Sequence, residues 1–144
     1  MALPQVVLDT DILSAIIRRN PAVIPRARAY LEEHGQFHLS IITRYEILRG
    51  LKAKGATQQA AAFDDFCLRN IILPLTAEAV TKAAEIYADL SHRGELIGDA
   101  DILIAASAMT CGLGVVTNNE RHFQRIQDLW VENWLRQEEN SPNN

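Results

Sequence analysis

Val6-Val7-Leu8-Asp9-Thr10-Asp11-Ile12-Leu13-Ser14 is the stretch that decides the fold. A short aliphatic run that needs burial on both faces predicts a central strand. The run stops at an acid, a hydroxyl residue and a second acid, and apolar residues then return at helical spacing. A short helix over Thr10–Ile17 is predicted, with Asp9 or Thr10 as its cap. Asp9 is thereby placed at the carboxyl end of a buried strand, the rim where open α/β sheets bind their ligands.

The rest of the chain repeats this arrangement. A second helix runs from Pro21 to about Glu33 with Ile24, Ala27 and Leu31 on one face, and Pro25 either kinks it or begins its regular part. Phe37–Ile41 alternates as a strand, and Thr43–Lys54 follows as a helix carrying Tyr45, Leu48 and Leu51 inward and Glu46 on its first turns. Ala56 to about Leu68 is another helix. Ile71–Leu75 is a third strand, marked as an edge by Pro74. Thr76 caps a long helix ending near Arg93, with Val80, Ala83, Ala84 and Tyr87 on one face. From Gly98, Asp99 and Asp101 open a helix of small residues that Gly112 ends. Leu113–Thr117 is a further buried strand, stopping at Asn118-Asn119-Glu120-Arg121-His122-Phe123, and Leu129–Trp134 supplies a last short one. Strands alternating with helices predict an α/β fold: a mostly parallel central sheet of four to five strands with helices on both faces. Residues 1–136 read as a single domain, and 137–144 as a polar, frayed C-terminal tail.

Composition agrees with one ordinary globular core, at 144 residues and 48% hydrophobic content. No segment resembles a signal peptide or approaches the roughly 20 apolar residues of a membrane span, which predicts a soluble cytoplasmic protein with no membrane partner. Cys67 and Cys111 have no metal-like spacing and are expected to be buried, reduced thiols. The net charge of −4 speaks against coating nucleic acid by charge alone, but not against a nuclease whose acids bind metal locally. The densest positive cluster, Arg44, Arg49, Lys52 and Lys54, lies on the helix that carries Glu46.

Taken singly, Asp9, Glu46, Asp99, Asp101 and Asn119 have ordinary explanations as caps, turn formers or solvated residues. Taken together, each sits at or just after a predicted strand end, and in a parallel sheet those ends share one edge. Crowded carboxylates repel, and a divalent cation relieves them; oxygen donors suit Mg²⁺ or Mn²⁺. Neither zinc spacing nor a glycine-rich nucleotide loop is present. Metal-assisted phosphodiester hydrolysis is the natural chemistry of such a site.

Leu8-Asp9-Thr10-Asp11-Ile12-Leu13, Ile42-Thr43-Arg44-Tyr45-Glu46-Ile47-Leu48-Arg49-Gly50, Ile97-Gly98-Asp99-Ala100-Asp101-Ile102-Leu103-Ile104-Ala105-Ala106 and Val116-Thr117-Asn118-Asn119-Glu120-Arg121-His122-Phe123 resemble, in order and spacing, the motifs of PIN-domain ribonucleases. They are most similar to the VapC toxins of bacterial toxin–antitoxin pairs. The resemblance covers nearly the whole chain and implies a three-layer PIN fold and a Mg²⁺- or Mn²⁺-dependent endoribonuclease. It also implies a homodimer, and a small antitoxin whose other part binds DNA. It places the site at Asp9, Glu46 and Asp101, with Asn119 at the fourth position. Asp9 and Asp101 would be the principal metal ligands, with Glu46 completing the site and orienting the attacking water.

Residues two apart on a helix point about 200° apart, so Asp99 and Asp101 do not share a metal. Asp101 matches the Asp-x-x-Ile-Ala-Ala pattern, leaving Asp99 a cap or supporting role. Thr10, Thr117 and Glu120 are further supporting candidates, though Glu120 is expected to be exposed. Asn119 lends an oxygen but no charge, so a one-metal state is plausible. Arg44, Arg49, Lys52, Arg121 and Arg125 are candidate contacts to RNA phosphates. His122 is expected to help pack its turn, and Trp130 and Trp134 to lie in the core or a dimer contact. Two other readings exist: a partner-binding module without activity, and, from Asp9-Thr10-Asp11, a haloacid-dehalogenase-type phosphatase with Asp9 as nucleophile and strained partners in Ser40 and Lys82.

Overall fold

The structure, a computed structural model, describes residues 3–136; the expected polar tail at 137–144 lies outside the described residues. Five short strands, β1 (Val6–Leu8), β2 (His38–Ser40), β3 (Ile71–Leu73), β4 (Gly114–Val116) and β5 (Val131–Glu132), form one parallel sheet ordered β3-β2-β1-β4-β5. The helices between them are α1 (Thr10–Ile17), α2 (Ile24–His34), α3 (Ile41–Ala53), α4 (Thr57–Arg69), α5 (Ala77–His92), α6 (Asp99–Thr110) and α7 (Glu120–Phe123).

Alternation along the strands divides the interior into two cores. Val6 and Leu8 face an aromatic one with Tyr30, Phe37, Phe63 and Trp134, while Val7 faces an aliphatic one with Ile86, Leu90, Ile104 and Ala105. On the aliphatic side α6 contributes Ala105, Ala106 and Ala108, all fully buried. Small residues let its backbone lie close to the sheet. The helix that carries Asp101 is thereby held firmly over the strands.

The strand order positions the site. The chain lays β2 and β3 on one side of β1 and β4 and β5 on the other, so the order reverses between β1 and β4. At such a reversal the connections leave in opposite directions and open a crevice at the carboxyl ends of the strands. Asp9 stands in it, its backbone N–H donating to the Val116 carbonyl at 2.9 Å.

Several expectations needed correction. α2 begins at Ile24 with Pro25 in its first turn, and the wound-up residues before it are not regular helix. It buries Ala27 and Tyr30, leaving Leu31 exposed, because the Tyr30 hydroxyl reaches the Val6 backbone N–H at 3.1 Å. Tyr45 does not point inward on α3: it is 60% exposed, with the Arg49 guanidinium over its ring. On α5 the buried series is Ala79, Ala83, Ile86 and Leu90, with Val80 and Tyr87 outward. Those four follow the i, i+4, i+7, i+11 rhythm that keeps one stripe against a neighbouring helix, here α6. Cys67 is buried but Cys111 is exposed in the turn after α6, both as free thiols. Trp134 is buried, whereas Trp130 is 59% exposed, its indole N–H donating to Glu132. α7 was not foreseen. β3 is an edge, as Pro74 implied, and ends just before that proline. Among the described residues no helix is long and apolar enough to cross a membrane.

Candidate active site

Asp9 is the N-cap of α1, with extended backbone (φ −69°, ψ 160°), and its Oδ1 accepts from the Thr10 backbone N–H at 2.8 Å. Its Oδ2 accepts from the Thr117 hydroxyl at 2.7 Å, across the crevice from β1 to the end of β4. Both oxygens are thus held, yet the carboxyl is almost fully buried. Burial, helped by the nearby charges of Asp11 and Asp101, pushes its pKa up to about 7 against the lowering effect of the two hydrogen bonds.

Glu46 comes from α3, whose start is fixed by Ser40: the Ser40 side chain accepts from the Ile42 N–H at 2.8 Å. The Thr10 hydroxyl lies 2.6 Å from Glu46 Oε1 and 3.1 Å from the Thr43 hydroxyl. One hydroxyl proton serves one acceptor, so the consistent arrangement has Thr43 donating to Thr10 and Thr10 donating to Glu46. A wholly buried threonine thereby orients the carboxylate through its neighbour.

Asp101 lies in the first turn of α6. Its pKa is raised by burial first and by the Glu46 charge, against the lowering effect of the Asn119 side chain. Asn119 Nδ2 is 3.5 Å from Asp101 Oδ2, and His122 Nδ1 is 3.7 Å from the same oxygen. Asp99, by contrast, is exposed at the first position of α6, and Gly98 occupies the cap; the cap role expected of Asp99 is not its own.

Two participants were not assigned to the site from the sequence. Asp11 Oδ2 accepts from the Asn118 backbone N–H at 3.1 Å, while its Oδ1 is buried with no hydrogen-bond partner. Burial, with Asp101 nearby, raises its pKa also. His122 could approach the cleft but was favoured to pack the turn; its Nδ1 lies 2.7 Å from the Asn119 amide nitrogen. The signal for Asp11 was the Asp-x-Asp pattern itself; His122 carried none beyond its spacing of three from Asn119.

The other expected residues are distributed unevenly. Glu120 is not exposed as expected: its carboxylate pairs with Arg136 at 3.0 Å, side chain 17% exposed. Arg44 is tied to Asp64 on α4 at 3.0 Å. Arg49 approaches Glu46 at 3.9 Å and remains largely exposed. Lys52 and Arg121 are exposed, and Arg125 donates to the Glu95 and Leu96 carbonyls. Ser40, the hydroxyl a phosphatase would need, is occupied in capping α3.

Among the described residues no three acid, histidine or cysteine side chains stand together so as to hold an ion without moving. The donor set is nevertheless of the kind a hard divalent cation takes, all oxygen and acidic. An orphaned Asp11 oxygen and a buried Asp9 with an elevated pKa both mark an edge short of positive charge.

Comparison with known proteins identifies the family and the fold. The model of the PIN domain family matches residues 6–129. "Ribonuclease VapC2" of Haemophilus influenzae is 36% identical over 129 residues, 89% of this chain and 96% of that one. "tRNA(fMet)-specific endonuclease VapC" of Shigella flexneri is 34% identical over 128 residues, 88% of this chain and 96% of that one. The DNA-bound VapBC structure from Salmonella typhimurium superposes with a TM-score of 0.79 at 28% identity, covering 92% of this chain and 99% of that one. With its strand order, a family model matched over residues 6–129 and relatives matched over 89% of its length, the chain belongs to the PIN domain family, among its VapC members.

Proposed function

We propose that the protein is a Mg²⁺- or Mn²⁺-dependent endoribonuclease, acting as the toxin of a toxin–antitoxin pair. The observation that carries this reading is the Asp9 carboxyl. It is buried at the sheet's reversal point, raised to about 7, and coupled to Asp11 and Asp101. A residue kept only to cap α1 gains nothing from that surrounding charge.

Asp9 and Asp101 would hold the ion, with Glu46 completing the set. When bound, the cation would supply charge to the phosphate and acidify a water. The protein's own residues do the rest. Thr117 fixes the Asp9 oxygen that faces β4, and Thr43 and Thr10 hold Glu46 through Oε1, so that Oε2, with Arg49 3.9 Å away, is the oxygen left to take a proton from the attacking water. Asn119, without a charge, favours a single ion. Arg49, Lys52 and Arg121 are exposed around the edge and are the cations best placed for RNA phosphates. Arg44 and Arg125 are engaged within the protein.

The VapBC complex among similar structures supports a small antitoxin as partner, and the outward Tyr45, Val80 and Tyr87 leave apolar surface for an antitoxin or a second copy of the chain. The test is to map RNA 5′ ends in cells after brief expression of wild type and of Asp9→Ala. New ends confined to wild type support the nuclease; identical profiles remove it.

A further inference from the structure

Asn119 stands at the N-cap of α7, where an asparagine ordinarily accepts from a backbone N–H two or three residues on. Its side chain makes no capping bond. The amide nitrogen is instead directed at His122 Nδ1, 2.7 Å away, and at Asp101 Oδ2, 3.5 Å away. The backbone N–H of Asn119 donates to the Thr117 hydroxyl at 2.9 Å, and Thr117 in turn holds Asp9. One residue therefore touches the supports of two of the proposed metal-binding acids.

The orientation of the amide follows from donor and acceptor chemistry. If the group were turned over, its carbonyl oxygen would face the Asp101 carboxylate, oxygen against oxygen. With the NH₂ group on that side, one hydrogen is directed at Asp101 and the other at the lone pair of His122 Nδ1. That requires the His122 proton on Nε2. Both donors of the amide are then engaged, and planarity turns Oδ1 away from them.

We infer that His122 is a positioning residue: it fixes the Asn119 amide so that its NH₂ group is held toward the Asp101 carboxylate at the acidic edge. This rests on the reading of that edge as a metal-dependent ribonuclease site. The phenylalanine that follows His122 is fully buried and anchors the turn by itself. His122 is half-exposed, so packing the turn does not need its ring nitrogen.

The experiment has one arm that needs no nuclease activity. The Asn119 side-chain NH₂ resonances, assigned by their loss in Asn119→Ala, are followed by NMR in metal-free wild type, His122→Phe and His122→Gln. His122→Phe should collapse the hydrogen-bonded shift of one amide proton toward that of a free amide, and His122→Gln, whose carbonyl can accept, should restore it. Unchanged resonances in His122→Phe overturn the inference. In RNA cleavage with Mn²⁺, His122→Phe should lower kcat about tenfold at unchanged KM, the scale of lost ligand support. His122→Gln should recover most of it, and His122→Phe should cost nothing further in an Asn119→Ala background. An equal loss in that background also overturns it, since His122 would then act apart from Asn119. Should wild type and Asp9→Ala cleave alike, the nuclease reading fails and takes the catalytic consequence with it, while the NMR arm still decides the amide geometry.

Discussion

The carboxyl end and the amino end of the same sheet are built on opposite terms. At the carboxyl end lie Asp9, Asp11, Glu46 and Asp101, no three of them grouped to hold an ion as they stand, with two of their oxygens supported by threonine hydroxyls and one, Asp11 Oδ1, by nothing. At the amino end the chain turns through Cys111 and Gly112 into Gly114, where the exposed Trp130 lies so close that a Cβ would stand 2.7 Å from its ring and 2.8 Å from its carbonyl oxygen. One end is electrostatically strained; the other is held by a close approach that leaves Gly114 no room for a side chain against Trp130. Strain of the first kind is relieved by a ligand, of the second only by not changing the sequence.

The largest expected effect separates the two properties at Asp9. Asp9→Asn keeps an oxygen for the Thr10 N–H and an NH₂ for Thr117, and so preserves the cap while removing the charge. Cleavage of RNA should fall on the order of a thousandfold, and the metal-free protein should melt at a higher temperature than wild type at pH 7.5. A lower melting temperature would show that the carboxyl end is not strained.

The same contrast sets a pH dependence. The unfolded chain ionises Asp9 at 3.8 and the folded one at about 7. Between those values the native state holds a proton the unfolded chain has lost, so this contribution to stability is greatest below about pH 4, declines as pH rises, and levels off above 7. Metal-free wild type should lose about 2–4 kcal/mol over that window relative to Asp9→Asn in denaturant melts, at about 1.4 kcal/mol per unit.

Gly114→Ala tests the other end. It should cost about 1–3 kcal/mol of stability through overpacking, with RNA cleavage per folded molecule unchanged. A loss of activity with no loss of stability would mean the two ends are coupled. Smallest is Thr43→Val, which keeps the shape but removes the donor to Thr10. Cleavage should fall by only several-fold, the value of about one neutral hydrogen bond, with the melting temperature little changed.

What was legible in the sequence follows from how local each cause is. Thr10–Ile17 and the strand before it were readable because an apolar run, an acid and a helical rhythm lie side by side. Asp99 and Asp101 are both helical, so the angle between them is fixed by the helix, and Asp101 lies beside Asn119 and His122 while Asp99 is exposed. Asp11 was given no place in the metal site, yet Asp9 is an extended cap, not a helical residue, so the two are not held on opposite faces. Tyr45, Val80 and Tyr87 were placed inward because apolar character marks a face without saying what meets it. His122 and Glu120 depend on partners at Asn119 and Arg136, contacts set by the fold of the β4–α7 corner and not by spacing.

An aspartic acid that titrates near 7 has one more outcome in calorimetry. At neutral pH part of the metal-free population carries a proton there, and a cation that coordinates the carboxylate must evict it. Titrating Mn²⁺ in buffers of different ionisation enthalpy should therefore give heats that change with that enthalpy, and Asp9→Asn should shrink the difference.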